Sequence, residues 1–456
     1  MSEMVKENKM GVQPTKTLII SMSLPIMISM LIQALYNIVD SIFVSKINED
    51  AFTAVSLAFP VQNLMIALAV GTGVGINAFL ARSLGEKKFD NANKAARNGL
   101  FLALLNYILF VILGLLFSRF YFSMLTSNER IIDYGVIYMR IVTIFSIGCF
   151  GQITCERLLQ ATGKTVLSMF TQGSGAIINI ILDPVLIFGL GPFPRMGIAG
   201  AAAATVIGQI LSFIFGILLN VRFNREININ MLGFRPDIRI IKKIYSVGLP
   251  AIVMQSITSV MTFGMNKILG VYGDTAQAVM GAYFKLQSFI FMPVFGLNNG
   301  LVPIISYNFG ARNKKRMSDS IKYGMLYATA IMFLGTLIMQ IFPSQLLKMF
   351  SASENMMSMG VMALRIISAS FIFAGIDIVI SSSLQALGYS IFSMLVSIAR
   401  QLVILLPAAY IIARATHYLN VDYIWTAFII SEIVSLLCSL AALRLAYKKV
   451  VAPLPD

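Results

Sequence analysis

The segment NIILDPVLIF, residues 179–188, sets an amide, a carboxylate and a proline inside an apolar run. Asn179 and Asp183 are four residues apart, so a helix carries them on one face, and Gln172 continues that stripe. Pro184 has no N–H, which leaves the Ile180 carbonyl without its helical partner and predicts a break beside the carboxylate. An amide, a carboxylate and a freed carbonyl at one level make an oxygen-rich nest suited to a proton or a hard monovalent cation. A second stripe, Gln33, Asn37 and Asp40, has the same logic, with Tyr36 nearby. An ionised carboxylate at mid-membrane costs about 2.5–3.5 kcal/mol. Two of them must share a proton, bind a cation or face water, and that is what a coupling site needs. The expected coupling ion is H⁺ or Na⁺, with Asp40, Asn179 and Asp183 as the candidate Na⁺ ligands and no other cofactor. The alternative for Asp40 is a wetted, inert position near the outer end of its helix.

These residues have to be held by membrane helices. The chain has 456 residues, 57% hydrophobic and 12% charged, with a mean hydropathy of +0.81. Apolar runs of helical length recur from end to end, too long and too weakly alternating for barrel strands. The spacing predicts twelve helices, at 17–46, 52–83, 92–118, 131–160, 165–188, 197–221, 242–270, 276–309, 316–341, 355–385, 389–414 and 421–446. The fold class is all-α membrane protein. The net charge of +15 does not indicate nucleic acid, because basic residues gather in short loops between apolar runs. No cleavable signal peptide is visible, so the first helix is read as an uncleaved insertion signal. Cys149, Cys155 and Cys438 lie within apolar runs and are expected to be small buried residues; His417 falls in a loop, which argues against a histidine metal site.

Basic clusters follow three of the even-numbered helices, which puts them on one side of the membrane if there are twelve spans. Arg82, Lys87, Lys88, Lys94 and Arg97 follow helix 2; Arg222, Arg225, Arg235, Arg239, Lys242 and Lys243 follow helix 6; Arg312, Lys314, Lys315, Arg316 and Lys322 follow helix 8. Lys6, Lys9, Lys16, Lys448 and Lys449 join them at the ends. The positive-inside rule then makes both termini cytoplasmic. The polar stretch 222–241 divides the chain into an N-terminal lobe, 1–221, and a C-terminal lobe, 242–456.

The halves match at a spacing of 225. Leu24-Pro25 pairs with Leu249-Pro250; Gly71, Gly75 and Gly85 pair with Gly296, Gly300 and Gly310; QATG at 160–163 pairs with QALG at 385–388. Six spans per half insert both copies the same way, related by a pseudo-twofold axis along the membrane normal, with a cleft between lobes. That is the plan of an alternating-access transporter. The acids are not duplicated: Asp40, Asn37, Asn179 and Asp183 correspond to Met265, Thr262, Ile404 and Ala408. Ion coupling is therefore assigned to the first half.

Other polar residues have competing readings. Glu156 pairs with Arg157 or Lys164, or caps a neighbouring helix. Glu432 lies deeper. Asp377 either faces the cleft as a second cation contact or pairs with a basic residue such as Lys285. Gln33, Tyr36, Met261 and Met265 are candidate lining residues of a pliable cavity, since methionine repacks around varied shapes. Pro25 and Pro250 are candidate hinges, and Pro184 is a third.

SLP and GLP opening the lobes, DSIFVS at the end of helix 1, ATGK after helix 4, NIILDPVLIFG, GAAAATVIGQ and LVPIISYNFGA together resemble the multidrug and toxic compound extrusion (MATE) family over nearly the whole chain. The resemblance implies cation-coupled antiport of amphipathic, often cationic compounds across the inner membrane, by a monomer in the lipid bilayer. Asp40 and Asp183 match the N-lobe acids of the branch similar to DinF, with Asn37, Asn179 and Thr205 completing the ion site and Pro25 matching the helix-1 proline linked to bending. Gln255 stands where the other bacterial branch carries a glutamate, and Asp377 lies near that branch's helix-10 acid. The alternatives are a flippase for a lipid-linked precursor or a metabolite exporter of the same superfamily. A membrane-embedded enzyme would need a clustered nucleophile or metal ligands, which the chain does not offer.

The charge pattern makes a direct prediction. Reporter fusions after residues 229 and 449 are active on the cytoplasmic side, and fusions after residues 48 and 191 on the outer side, as alkaline phosphatase and fluorescent-protein fusions would measure.

Overall fold

In hydrocarbon a chain must satisfy its own backbone polar groups, and helices do so residue by residue. The computed structural model describes residues 8–350, 353–417 and 420–454, and these are almost entirely helical. Lys6 lies outside the described residues. Ten helices are long and apolar enough to cross a membrane: α1 (Thr15–Ser45), α2 (Glu49–Gly85), α3 (Phe89–Leu125), α5 (Thr165–Phe188), α6 (Ile198–Phe223), α7 (Ile238–Tyr272), α8 (Asp274–Gly310), α9 (Lys314–Ile341), α11 (Ser390–Ala415) and α12 (Val421–Val451). Two further spans, α4 (Glu129–Ile144 with Ile147–Ala161) and α10 (Glu354–Ser368 with Phe371–Ala386), are bent by 44° and 47°. Counting each bent pair once gives the expected twelve.

The sequence placed α4 and α10 as unbroken helices, and the structure corrects this. Neither break contains proline or glycine, so packing rather than local propensity makes the bend. A second correction concerns α5, which runs through Pro184 without interruption to Gly189, whose left-handed φ of 74° ends it. Short polar caps start other helices: Asn48 Oδ1 accepts from Ala51 N at 2.7 Å on α2, and Asn313 Oδ1 from Arg316 N at 3.0 Å on α9.

The 225-residue repeat is present in the backbone itself. Lys87 and Arg312 both have positive φ (57° and 56°), as do Gly163 and Gly388 (84° and 85°). The turns close with the same bonds: Lys88 N to Ser83 O and Asn313 N to Asn308 O, each 2.9 Å. The copies diverge in α11, where Ala399–Leu405 forms a π-helical turn that regular α5 lacks. A π-turn absorbs extra chain within a helix.

Packing divides the chain into two units. One contains Ile28–Ile252 with Asn8 and Lys9; the other contains Met10–Met27 and Val253 onward. This grouping differs from a cut at the 222–241 linker: the start of α1 belongs with α8–α12, and the start of α7 with α2–α6. Each handover falls two residues after a proline, Pro25 or Pro250. In the first unit Gly71 and Gly75 of α2 lie against Ile252 and Ile244. In the second, Gly296 and Gly300 of α8 lie against Met27 and Ser23, and Ser23 Oγ donates to Leu297 O at 3.2 Å.

Small residues set how closely helices approach, because lipid supplies no hydrophobic drive between them. On α6, Gly200, Ala204, Gly208, Ser212 and Gly216 recur every four residues and are all buried. A Cβ on Gly208 would stand 2.8 Å from the Gly175 carbonyl oxygen, and Ser212 Oγ donates to Thr171 O at 2.8 Å. This contact brings α5 and α6 backbone to backbone, one turn from Asn179 and Thr205. Cys149 and Cys155 are buried as expected, whereas Cys438 is exposed, on the outward side of α12.

In the loop after α6 of the first unit, Glu226 accepts a hydrogen bond from Asn8 Nδ2 and lies 4.0 Å from Lys164 Nζ. Burial holds the Glu226 carboxyl above its ordinary range, opposed by the Asn8 hydrogen bond and by Lys164 and Lys9.

The α5–α6 approach yields a stability prediction. Gly208→Leu forces the helices apart and costs about 1–3 kcal/mol, read as a lower melting temperature of the detergent-solubilised protein.

Candidate functional site

Three elements of the first unit converge on one point. The outer half of α1 brings Asp40, α5 brings Asp183 and Asn179, and α6 brings Thr205. Asp183 is fully buried and Asn179 nearly so. The Asp40 and Asp183 carboxyls lie within hydrogen-bonding reach of each other. Carboxylates only accept hydrogen bonds, so this contact requires a proton or a cation between them. Among the described residues no lysine or arginine pairs with either acid. Asp40 Oδ1 is buried without a hydrogen-bond partner, an oxygen still open to a donor or a cation.

Asn179 ties the acids to α6. In either orientation of its amide it donates to Asp183, at 3.3 or 3.4 Å, and meets Thr205, either at Oγ1 (3.4 Å) or through its amide oxygen at Thr205 N (3.2 Å). All these contacts are longer than the usual 2.9–3.0 Å. They are contacts that a bound proton or cation can draw in without breaking the helices.

Gln33 of α1 accepts from Gln172 Nε2 of α5 at 2.6 Å, a second bridge between the two helices nearer the start of α5. Tyr36 lies within electrostatic reach of Asp40, Asp183 and Cys149. Asn37 is not drawn in. It is exposed, and its carbonyl accepts from Ser41 Oγ at 2.8 Å. The helical face that carries Asp40 inward at position 40 turns Asn37 away, a correction to the expected stripe.

Two residues of the site were not anticipated. Tyr138, on the first segment of α4, is 2% exposed and lies within electrostatic reach of Asp40, Tyr36 and Asp183. Gln62 of α2 donates to its hydroxyl at 3.1 Å. Polar Gln62 inside FPVQNLMIAL was a visible signal; Tyr138 in GVIYMRIV gave none, since tyrosines are common in apolar runs.

The second unit holds a different polar cluster. Asp377 of α10 accepts from Ser435 Oγ at 2.9 Å and from Ser439 Oγ of α12, and lies 3.7 Å from Arg400 Nη1. Arg400 also donates to Glu432 at 3.2 Å. Arg400 sits in the π-turn of α11. The partner of Asp377 is thus Arg400, not Lys285, whose ammonium lies 5.9 Å from the Phe350 ring. Asp377 is 5% exposed and its oxygens are engaged, so it is a tied structural acid rather than an open cavity contact. Met261 and Met265 are buried within this unit, and Gln255 is exposed. Glu156 accepts from Gln152 at 2.9 Å, while Arg157 donates to Gln160 at 2.9 Å. Glu156 and Arg157 thus stay within electrostatic reach of each other, as expected, but their hydrogen bonds go to neighbouring amides.

A duplicated helical bundle with an uncompensated acid pair in one half defines a multi-pass membrane transporter. The MatE family profile matches the chain twice, over residues 25–185 and 250–411, so the chain belongs to the MatE family of multidrug and toxic compound extrusion transporters. Its similar relatives include the protein named multidrug export protein MepA from Staphylococcus haemolyticus, 27% identical over 93% of this chain and 92% of the relative. MepA of Staphylococcus aureus strain N315 is 26% identical over the same shares. Among solved structures, a MOP superfamily transporter from Pyrococcus furiosus superposes with a TM-score of 0.91 at 25% identity, covering 98% of this chain and 99% of that one. An outward-facing multidrug resistance MATE family transporter matches with a TM-score of 0.90 at the same identity and coverage. The two profile matches begin at the two prolines, and the second is one residue longer than the first, as the π-turn of α11 accounts for.

The arginine cluster generates its own prediction. Arg400→Met leaves buried Asp377 and half-buried Glu432 without a counter-charge and costs about 3–5 kcal/mol, visible as a large loss of melting temperature with little dependence on added substrate.

Proposed function

We propose that this protein is a cation-coupled antiporter that exports amphipathic, often cationic compounds from the cell by alternating access. The observation that carries the reading is the Asp40–Asp183 contact, a half-buried and a fully buried carboxyl in hydrogen-bonding reach with no basic partner among the described residues. Such a pair changes its net charge when it gains or loses one cation. A ligand drives a conformational equilibrium only through differential affinity, and a charge held away from water supplies a large differential.

The favoured coupling ion is H⁺. A single proton satisfies the carboxyl–carboxyl contact as it stands, whereas Na⁺ needs a fuller oxygen shell. Na⁺ remains the second reading, because Asp40 Oδ1, Asp183, the Asn179 amide and Thr205 Oγ1 offer oxygens from three helices. The names of the staphylococcal relatives support drug-like substrates, and the apolar helices with their basic loops support an inner-membrane location with both termini cytoplasmic.

The antiport cycle follows from charge. Entry of the cation from outside neutralises the pair and favours the state that releases the substrate. Loss of the cation to the cytoplasm restores the negative charge and favours the state that binds a cationic substrate. Pro25, two residues before α1 passes between units, is placed where a bend in that helix would move Asp40 relative to Asp183.

Asp183→Asn tests this. The variant keeps its melting temperature and loses export of a lipophilic cationic dye from vesicles under an imposed pH gradient. Export at the wild-type rate contradicts the proposal. Replacing the pH gradient with a sodium gradient separates the two ions.

A further inference from the structure

The linker between α6 and α7 carries a tight, braced turn. Phe234 N donates to Met231 O at 3.0 Å, and Gly233, at a φ of 68°, supplies the left-handed third position that such a turn needs. Asn228 Oδ1 accepts from Asn230 N at 2.8 Å, and Asn230 Oδ1 from Leu232 N at 2.9 Å. The start of α3 holds the loop in place. Asn93 Oδ1 accepts from Asn228 N at 2.7 Å, and Arg97 Nε donates to Asn228 O at 3.3 Å. Phe234 lies against Phe101, with ring centroids 5.8 Å apart. On either side of the turn the chain buries its apolar residues, Ile227 and Ile240. The tip does the reverse: Leu232 is 86% exposed and Met231 41%.

A single exposed leucine is ordinary, but this one stands at the foot of a lipid-facing stripe. Asn93, Arg97 and Phe101 are four residues apart and share one face of α3. That face continues as Leu104, Ile108, Ile112 and Leu115, all exposed. In a helix that crosses a membrane, such a stripe meets hydrocarbon. The turn packed on its first residues is therefore at the level where hydrocarbon gives way to headgroups. The linker around it is basic. Arg222, Arg225, Arg235, Arg239, Lys242 and Lys243 are all exposed, against two acids, Glu226 and Asp237. Asn8 bonds to Glu226, and Asp237 Oδ1 accepts from Arg239 N at 3.0 Å.

We infer that this turn is a membrane anchor for the leaflet on the linker's side: Met231 and Leu232 enter the acyl boundary, and the neighbouring arginines bind the phosphates of anionic phospholipids. Apolar tips flanked by basic residues hold to an interface in this way, by buried apolar area and by attraction to negative headgroups. Guanidinium groups suit phosphate because they donate two parallel hydrogen bonds. The bracing by Asn228, Asn230 and Gly233 fixes the tip in advance, so little ordering is lost when it inserts. Nothing in this inference depends on the acid pair.

Tryptophan fluorescence of the full-length protein in lipid nanodiscs tests it. Trp425, the chain's single tryptophan, is fully buried, so the wild type supplies the background. Leu232→Trp places a reporter at the tip. In phosphatidylcholine discs with brominated acyl chains the added emission is quenched, and iodide in the water does not reach it. With phosphatidylglycerol as a minority component, brominating that lipid alone quenches more than brominating an equal share of the phosphatidylcholine. Arg235→Gln and Arg239→Gln reduce this preference, by up to about fivefold for each arginine replaced. Should Leu232→Trp misfold, Met231→Trp gives the same readout. Emission quenched by iodide and untouched by brominated lipid puts the tip in water, where a soluble partner would meet it, and overturns the inference. Equal quenching by the two brominated lipids overturns the anionic assignment.

Discussion

Two acids share a buried site in which neither has a basic partner, and the rest of the first unit is arranged around that condition. A carboxylate pair in a low-dielectric interior is tolerable only when something positive is present or when donors converge on it. Here the donors are few and their contacts long. Asn179 reaches Asp183, Thr205 fixes Asn179, and Asp40 keeps an open oxygen. On the proposed coupling, the site is satisfied when loaded and strained when empty, a difference that a transporter can use to move between conformations.

The second unit shows the contrasting solution. Asp377 is a buried acid and Glu432 a half-buried one, yet Arg400 stands between them and two serines complete the shell of Asp377. A tethered guanidinium cannot leave, so this cluster keeps its counter-charge, whereas the first unit, on the proposed coupling, exchanges its own. One scaffold thus carries an acid cluster with a tethered counter-charge in one copy and an acid pair without one in the other. The π-turn at Ala399–Leu405 marks the divergence. With or without its extra residue, the position matching Asp183 is an alanine, Ala408 or Ala409.

Much of this was legible in the sequence because it is written in short-range patterns. Most helix ends fell within a few residues of their predicted places, since apolar length and basic loops are one-dimensional signals; α3 runs on to Leu125 instead of 118 and α12 to Val451 instead of 446. The repeat was legible because glycines such as Gly71 and Gly296 recur where backbones touch. Asp183 and Asn179 were legible as i, i+4 neighbours. Features decided by packing between helices were not. The bends after Ile144 and Ser368 have no breaker residue; Pro184, which looked like one, sits in a continuous helix. Asp377 met Arg400 rather than Lys285 because helices α10, α11 and α12 pack together, a relation that spacing along the chain does not encode. Asn37 stayed exposed, and Tyr138 entered from a helix whose own acids, Glu129, Asp133 and Glu156, lie elsewhere along it, for the same reason.

The central claim is that Asp40 and Asp183 hold one exchangeable proton between them. pH-difference infrared spectroscopy of the purified protein in lipid reads this without reference to transport. The account predicts a protonated-carboxyl stretch that titrates in the wild type, is perturbed by substrate, and is lost in Asp183→Asn. A titration spectrum identical in the wild type and in Asp183→Asn would contradict it.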